Sequence, residues 1–248
     1  MHLERAGFDV VVTARHPVVS IGDARDDRTR CGREGRCEKV PVIGAIPVVD
    51  RHRDLVTRDL ARHARHLVAS DPDSDALKTA RAAVAADNVD FMATPAGMPD
   101  LPVGSFDVVI YTLSLHHIPI AEMSGSLHRA AALLKNDGVI MVVEPGEKGS
   151  FTLAKEQFGA GSGDERPAKE AAIRAMQTLD GWTMGEALYF YTRFQFDNEE
   201  DFFDTMLPGY RQQPENFVQA VTAFLSLHRT ANGIILDAER RLNLLRRM

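Results

Sequence analysis

Residues 66–93 read HLVASDPDSDALKTARAAVAADNVDFMA, and this stretch decides the fold. His66–Ser70 is a short apolar run closed by Asp71-Pro72-Asp73, the pattern of a buried strand ended by a turn. Ser74–Ala86 then brings Ala76, Leu77, Ala80, Ala83 and Val84 onto one helical face, with Asp73 or Ser74 as the cap. Val89–Ala93 returns to strand character. A strand, a helix and a strand in so short a space predict a parallel pair joined by a right-handed crossover.

The same alternation continues outward. Towards the C-terminus, Phe106–Tyr111 reads as an apolar strand and Met123–Leu134 as a helix stopped at Asn136-Asp137-Gly138. Val139–Val143 is the next strand, ending at Glu144-Pro145-Gly146. Towards the N-terminus, Arg51–His66 places Val56, Leu60, His63/Ala64 and Leu67 on one helical face. The apolar, β-branched run Val40–Val49 is expected to be the first strand of the sheet. Past Gly149, Ser150–Leu179 is helical with a break at Gly159–Gly163, and Ser150–Gly185 is expected to act as a mobile lid. Tyr189–Phe196 is a strand, Asp197–Met206 a helix with an Asp197…Glu200 capping box, and Pro214–Leu227 a helix with Pro at its start. Gly233–Leu245 is the last strand. The chain thus divides into a poorly patterned segment 1–39, a core 40–147, a helical insertion 148–187 and a completing part 188–248.

Composition narrows the function. Apolar residues make up 44% and charged residues 26%, with a net charge of −6. That balance argues against broad binding to nucleic acid or to an anionic membrane. No stretch has the length of a spanning helix, and Val10-Val11-Val12 is flanked at once by Thr13 and Arg15. Cys31 and Cys37 are the two cysteines, too few for a disulfide scaffold and without a second ligand pair at zinc spacing. A reducing cytoplasm and no metal are therefore expected. Twelve arginines crowd into residues 1–66, and Asp23–Lys39 has no apolar period. It is expected to be a loop or disordered.

Ligands on parallel sheets sit outside the carboxyl ends of the strands. The residues there are Asp71, Ala96–Asp100, Thr112–His117 and Glu144–Gly146. Three of these runs, in order, resemble the class I S-adenosylmethionine-dependent methyltransferase family, in its small-molecule, type 11-like branch. They are His66–Asp71, a strand ending in an acid, then Leu101–Val109 with its "LP…sFD-V-V" pattern, then Leu113-Ser114-Leu115-His116-His117-Ile118. Arg129–Ile140 resembles the family's following helix, turn and strand. The likeness covers roughly residues 50–147.

The resemblance implies an α/β fold, Rossmann-like and doubly wound. Its mostly parallel seven-stranded sheet would carry helices on both faces and a C-terminal antiparallel hairpin. It implies S-adenosyl-L-methionine as cofactor, with Asp71 on the ribose hydroxyls beside Pro72. Gly97 and Met98 would read the adenine edge, and Thr112 and Leu113 would also contact the cofactor. His116, His117 and Glu144 become catalytic candidates, a histidine because it can take a proton from a hydroxyl or amine acceptor. Each also has a plainer reading, as a cap, a packed ring or a solvated loop acid. The partner would be a small-molecule methyl acceptor.

The family's glycine-rich first loop is where the sequence departs. After Val40–Val49 only Gly44 stands in the strand, and Asp50 falls where open amides should meet the cofactor's carboxylate. Weak cofactor binding is expected from that reading. Val18–Ala24, with Ile21-Gly22-Asp23, carries a fragment of the motif some twenty residues earlier. Either the methyltransferase is divergent, to the point of being a silent binding module, or residues 1–50 are not the authentic N-terminus, through a misread frame or a wrong start. A nucleotide-dependent dehydrogenase is a distant alternative, since it needs the same glycines.

Overall fold

The computed structural model describes residues 8–14, 48–49, 56–94 and 97–248. Its centre is a strand that periodicity did not select. β1 (Phe8–Ala14) lies between β3 (Ala64–Asp71) and β5 (Phe106–Thr112), parallel to both. Val11 faces Val68 on one side and Val109 on the other, and all three are essentially inaccessible. An apolar β-branched run buried on both faces is what an interior parallel strand requires. Each such valine contributes roughly 1.5–3 kcal/mol of burial.

β4 (Val89–Ala93) flanks β3, and β6 (Leu134–Pro145) flanks β5, each parallel to its neighbour. β10 (Gly233–Arg247) then runs antiparallel between β6 and β8 (Leu188–Phe196). The main order is therefore β4-β3-β1-β5-β6-β10-β8. This is the doubly wound sheet expected, closed by an antiparallel pair. β7 (Trp182–Met184) and β9 (Arg229–Thr230) add short pairings to β10. β2 (Val48–Val49) pairs with β8 at the far edge.

The expected first strand, Val40–Val49, is thus corrected. Its described end is β2, five strand spacings from β1, or about 24 Å across the sheet. Phe8–Ala14 holds the first-strand position, inside the segment 1–39 that lacked a pattern. Gly44, Asp50, Ile21-Gly22-Asp23, both cysteines and all of Asp23–Lys39 lie outside the described residues.

Helices cover both faces. Alternation sends Val11, Val68, Val109 and Tyr111 to α3 (Ile120–Leu133) and α5 (Arg166–Gln177), and Val10, Val12, Leu67, Ala69 and Ile110 to the other side with Leu60 of α1 (Val56–Ala61). α4 (Ser150–Phe158), α6 (Glu199–Met206) and α7 (Glu215–Ser226) enclose a phenylalanine-rich core over β8 and β10. α2 (Ser74–Ala83) is capped by Asp73, which accepts from the amides of Asp75 and Ala76.

Three boundaries moved for local reasons. Ala64–Leu67 belongs to β3 rather than to the preceding helix, because the chain turns at Arg62–His63. α6 is capped by Asn198 and not by Asp197: Asn198 accepts from the Asp201 amide, and the Asp201 carboxylate accepts from the Asp197 amide. β6 begins at Leu134, pairs there with Phe106, and resumes at Val139 opposite Val108, so the expected turn is a bulge within the strand.

Candidate active site

All the parallel strands deliver their carboxyl ends to one edge. The crossovers reverse direction between β1 and β5, where a sheet of this kind opens a ligand cleft. On one side of that point, Asp71 ends β3 buried, its Oδ1 accepting from the Asp73 amide at 2.8 Å. Beside it along the edge, Ser70 Oγ and Thr94 Oγ1 are buried without a hydrogen-bond partner. Pro72 is exposed next to Asp71. Gly97 has φ +67°, and a Cβ there would meet Arg129 Nη2 at 2.9 Å and Ser126 Oγ at 3.0 Å, so contact with α3 explains this glycine. Met98 is buried in the core below.

On the other side, β5 ends at Thr112, and Leu113 turns the chain with φ +52°, the one non-glycine positive φ among the described residues. That conformation costs on the order of 1–2 kcal/mol. It is held by a 2.7 Å hydrogen bond from the Leu113 amide to the Val143 carbonyl. The short 3-10 turn Leu115–His117 follows.

Glu144, buried at the end of β6, fixes that turn. Its Oε1 accepts from the Leu115 amide at 3.1 Å, and its Oε2 pairs closely with His116 Nδ1. The other ring nitrogen of His116 lies 3.8 Å from Glu165 Oε2. Glu165 is in turn held by Lys155 Nζ at 2.6 Å and by the Ser162 hydroxyl. Burial disfavours the charged imidazole, but the hydrogen bonds and charges of Glu144 and Glu165 outweigh it and raise the His116 pKa to about 9. The Glu165 carboxyl is held well below the usual range: burial opposes this, and His116, Lys155 and Ser162 overcome it. At neutral pH His116 is therefore a buried imidazolium between two carboxylates. It positions the turn and has no free nitrogen with which to take a proton. His117, half-buried with its ring 4.0 Å from that of His116, lines the cavity.

That cavity, of about 200 Å³, is bounded by Leu113, His117, Phe151, Phe194, Met206 and Arg240, with Gly161–Lys169 along one wall. The segment expected as a lid is α4, a connection through Glu165, and α5; the Glu165 contacts fasten it to the turn after β5. His116, His117 and Glu165 offer ligand atoms within 4.8 Å of one another, the spacing of a metal site. The Lys155 ammonium already sits on the Glu165 oxygen facing His116, so these groups suit an anion better than a cation.

The structure brings His116, His117, Glu144 and Leu113 together and keeps Asp71 across the cleft. Sequence reasoning missed Lys155, Glu165 and Arg240. The signal for Arg240 was the charged run Glu239-Arg240-Arg241 in the middle of the final strand. Among the aromatics of the C-terminal part, Phe194 lines the cavity, Trp182 is core, and Tyr189 and Tyr191 are exposed.

Residues 53–142 match the family model described as "Methyltransferase domain". The matched span runs from the approach to β3 through most of β6. Residues 53–142 are thus similar to a methyltransferase domain. Among solved structures, one superposes with a TM-score above 0.5. The YcgJ protein of Bacillus subtilis superposes with a TM-score of 0.51 at 10% identity, covering 98% of this chain and 93% of that one. An S-adenosylmethionine-dependent methyltransferase from Mesorhizobium loti gives 0.41 at 12% identity, covering 97% and 93%. A Haemonchus contortus phosphoethanolamine N-methyltransferase, solved with phosphoethanolamine and S-adenosylhomocysteine, gives 0.38 at 18%, covering 59% and 24%. No curated protein matches the chain. Among the described residues no helix is long and apolar enough to cross a membrane.

Proposed function

We propose that this chain is a cytoplasmic S-adenosyl-L-methionine-dependent methyltransferase that methylates a small molecule at O, N or C. One observation carries the reading: a buried acid, Asp71, ends β3 beside two unpartnered hydroxyls, across the switch point from a separate small cavity. A nucleoside fits the first side. Asp71 suits ribose hydroxyls, and Ser70 and Thr94 have hydrogen-bonding capacity left over. When bound, the cofactor supplies an electrophilic methyl group on its sulfonium. The chain's own residues then orient the acceptor, since alignment provides much of the rate of methyl transfer. Leu113 carries the backbone turn between the two sides, and His117 is the ring placed to receive a proton from an acceptor hydroxyl or amine. The His116 ring, itself held by Glu144, lies against that ring.

Calorimetry with S-adenosylhomocysteine tests the reading. The intact chain should bind, and Asp71→Ala should weaken binding roughly 10- to 150-fold, the value of hydrogen bonds to a charged group. Equal affinity in the folded variant would remove Asp71 from the site. No binding by the intact chain would favour the silent, non-catalytic relative.

A further inference from the structure

Arg240 is the group that the network above does not explain. It projects from β10 into the cavity, 4% exposed, with its Cζ 5.4 Å from the centre of the Phe194 ring. Its Nε is buried without a hydrogen-bond partner, and its guanidinium makes no hydrogen bond or ion pair among the described residues. Burying an unpaired cation costs several kcal/mol, so such a group persists where a counter-charge completes it. The two nearby carboxylates cannot do so. Glu165 is engaged by Lys155 and Ser162, and Glu144 by His116 and the Leu115 amide. With the His116 imidazolium, Lys155 and Arg240 set against those two carboxylates, this wall keeps one positive charge.

We infer that the cavity binds an oxyanion of the methyl acceptor, a carboxylate or a phosphate, on the guanidinium of Arg240. The planar fork of arginine matches either group with two parallel hydrogen bonds. Phe151 and Phe194, stacked at 4.1 Å, together with Leu113 and Met206, give the rest of the acceptor an apolar and aromatic bed. The acceptor is then an acid with an apolar body, its oxyanion at β10 and its nucleophile turned towards His117. That it is the methyl acceptor rests on the proposed methyltransferase function; the anion site does not.

Thermal unfolding of the full chain with benzoate and, separately, with inorganic phosphate tests this. Either probe at tens of millimolar should raise the melting temperature of the intact protein, and the larger shift assigns carboxylate or phosphate. Arg240→Met should abolish the shift. Without any ligand it should melt at or above the temperature of the parent, because an uncompensated buried charge has been removed. Arg240→Lys should retain a reduced shift. If neither probe shifts the intact protein, or if Arg240→Met melts far below the parent, the inference is overturned. Adding S-adenosylhomocysteine alone separates the two readings: binding of that nucleoside without any anion response sinks the anion site only. An anion response without nucleoside binding sinks the methyltransferase reading only.

Discussion

The two sides of the cleft satisfy their polar groups differently. On the β3–β4 side, Ser70 and Thr94 keep buried hydroxyls unpartnered around one acid. On the β5–β6–β10 side, His116, Glu144, Glu165 and Lys155 satisfy one another, and Arg240 alone is left over. The contrast follows from the cost of waiting for a ligand. A neutral hydroxyl left dry costs about 1–3 kcal/mol, whereas a bare buried charge costs more and tends to be neutralised in place. A side lined by neutral hydroxyls can therefore stand open, while a charged side must be built nearly complete.

If that contrast is right, the largest loss should come from breaking the charged side. Glu144→Ala leaves His116 without its Nδ1 partner and the Leu115 amide without an acceptor. The expected cost is about 3–5 kcal/mol in urea unfolding. A cost below about 1 kcal/mol would dissolve the network. Acidity sharpens the same point. A histidine raised from its ordinary value to about 9 contributes stability that is complete below pH ~6.5 and lost as pH rises through 9. The intact protein should lose on the order of 3 kcal/mol across that window, and Glu144→Ala should show a flatter profile.

The same contrast explains what could be read from the chain. The β3–β4 side is local: Asp71, its turn and its helix cap lie within a few residues, so periodicity and capping locate them. Val89–Ala93 was placed to the residue. The charged side joins residues from β5, β6, α4, the loop before α5 and β10, and no spacing in the sequence links Glu165 or Arg240 to His116. β1 escaped for another reason. Phe8–Ala14 is short and interior, and without a helix or turn pattern beside it a run of three valines has no period to betray its place. The longer run Val40–Val49 had the stronger local signal.

β1 joins the two sides, and its core valine gives the next effect in size. Val11→Ala should cost about 2 kcal/mol, from the lost methyl groups and the cavity they leave between Val68 and Val109. Denaturant unfolding measures it. A neutral result would mean that another segment fills the centre of the sheet.

The smallest expected effect lies at the opposite edge, where charges are wet and the argument for the cleft should fail. At the amino ends of β1, β3 and β5, the Asp9 amide donates to Asp107 Oδ2 at 2.8 Å, and Arg65 grips the Asp9 carboxylate at 3.0 and 2.6 Å. Lys135 bridges Asp107 at 2.9 Å and Asp9 at 3.3 Å. The hydrogen bonds from Arg65 lead in holding the Asp9 carboxyl below its usual range, with burial opposing them. Its contribution is therefore present above the ordinary carboxylate pKa and disappears as pH falls through the lower folded value. The Arg65 side chain is more than half exposed, so solvent screens the pair. A double-mutant cycle of Asp9→Asn and Arg65→Met should give a small coupling at low salt. At 1 M salt, where screening acts within about 3 Å, most of it should vanish. A large coupling that ignored salt would erase the distinction between the dry, charged cleft and this wet edge. No coupling at all would detach Asp9 from Arg65, and with it the register that seats β1 beside β3.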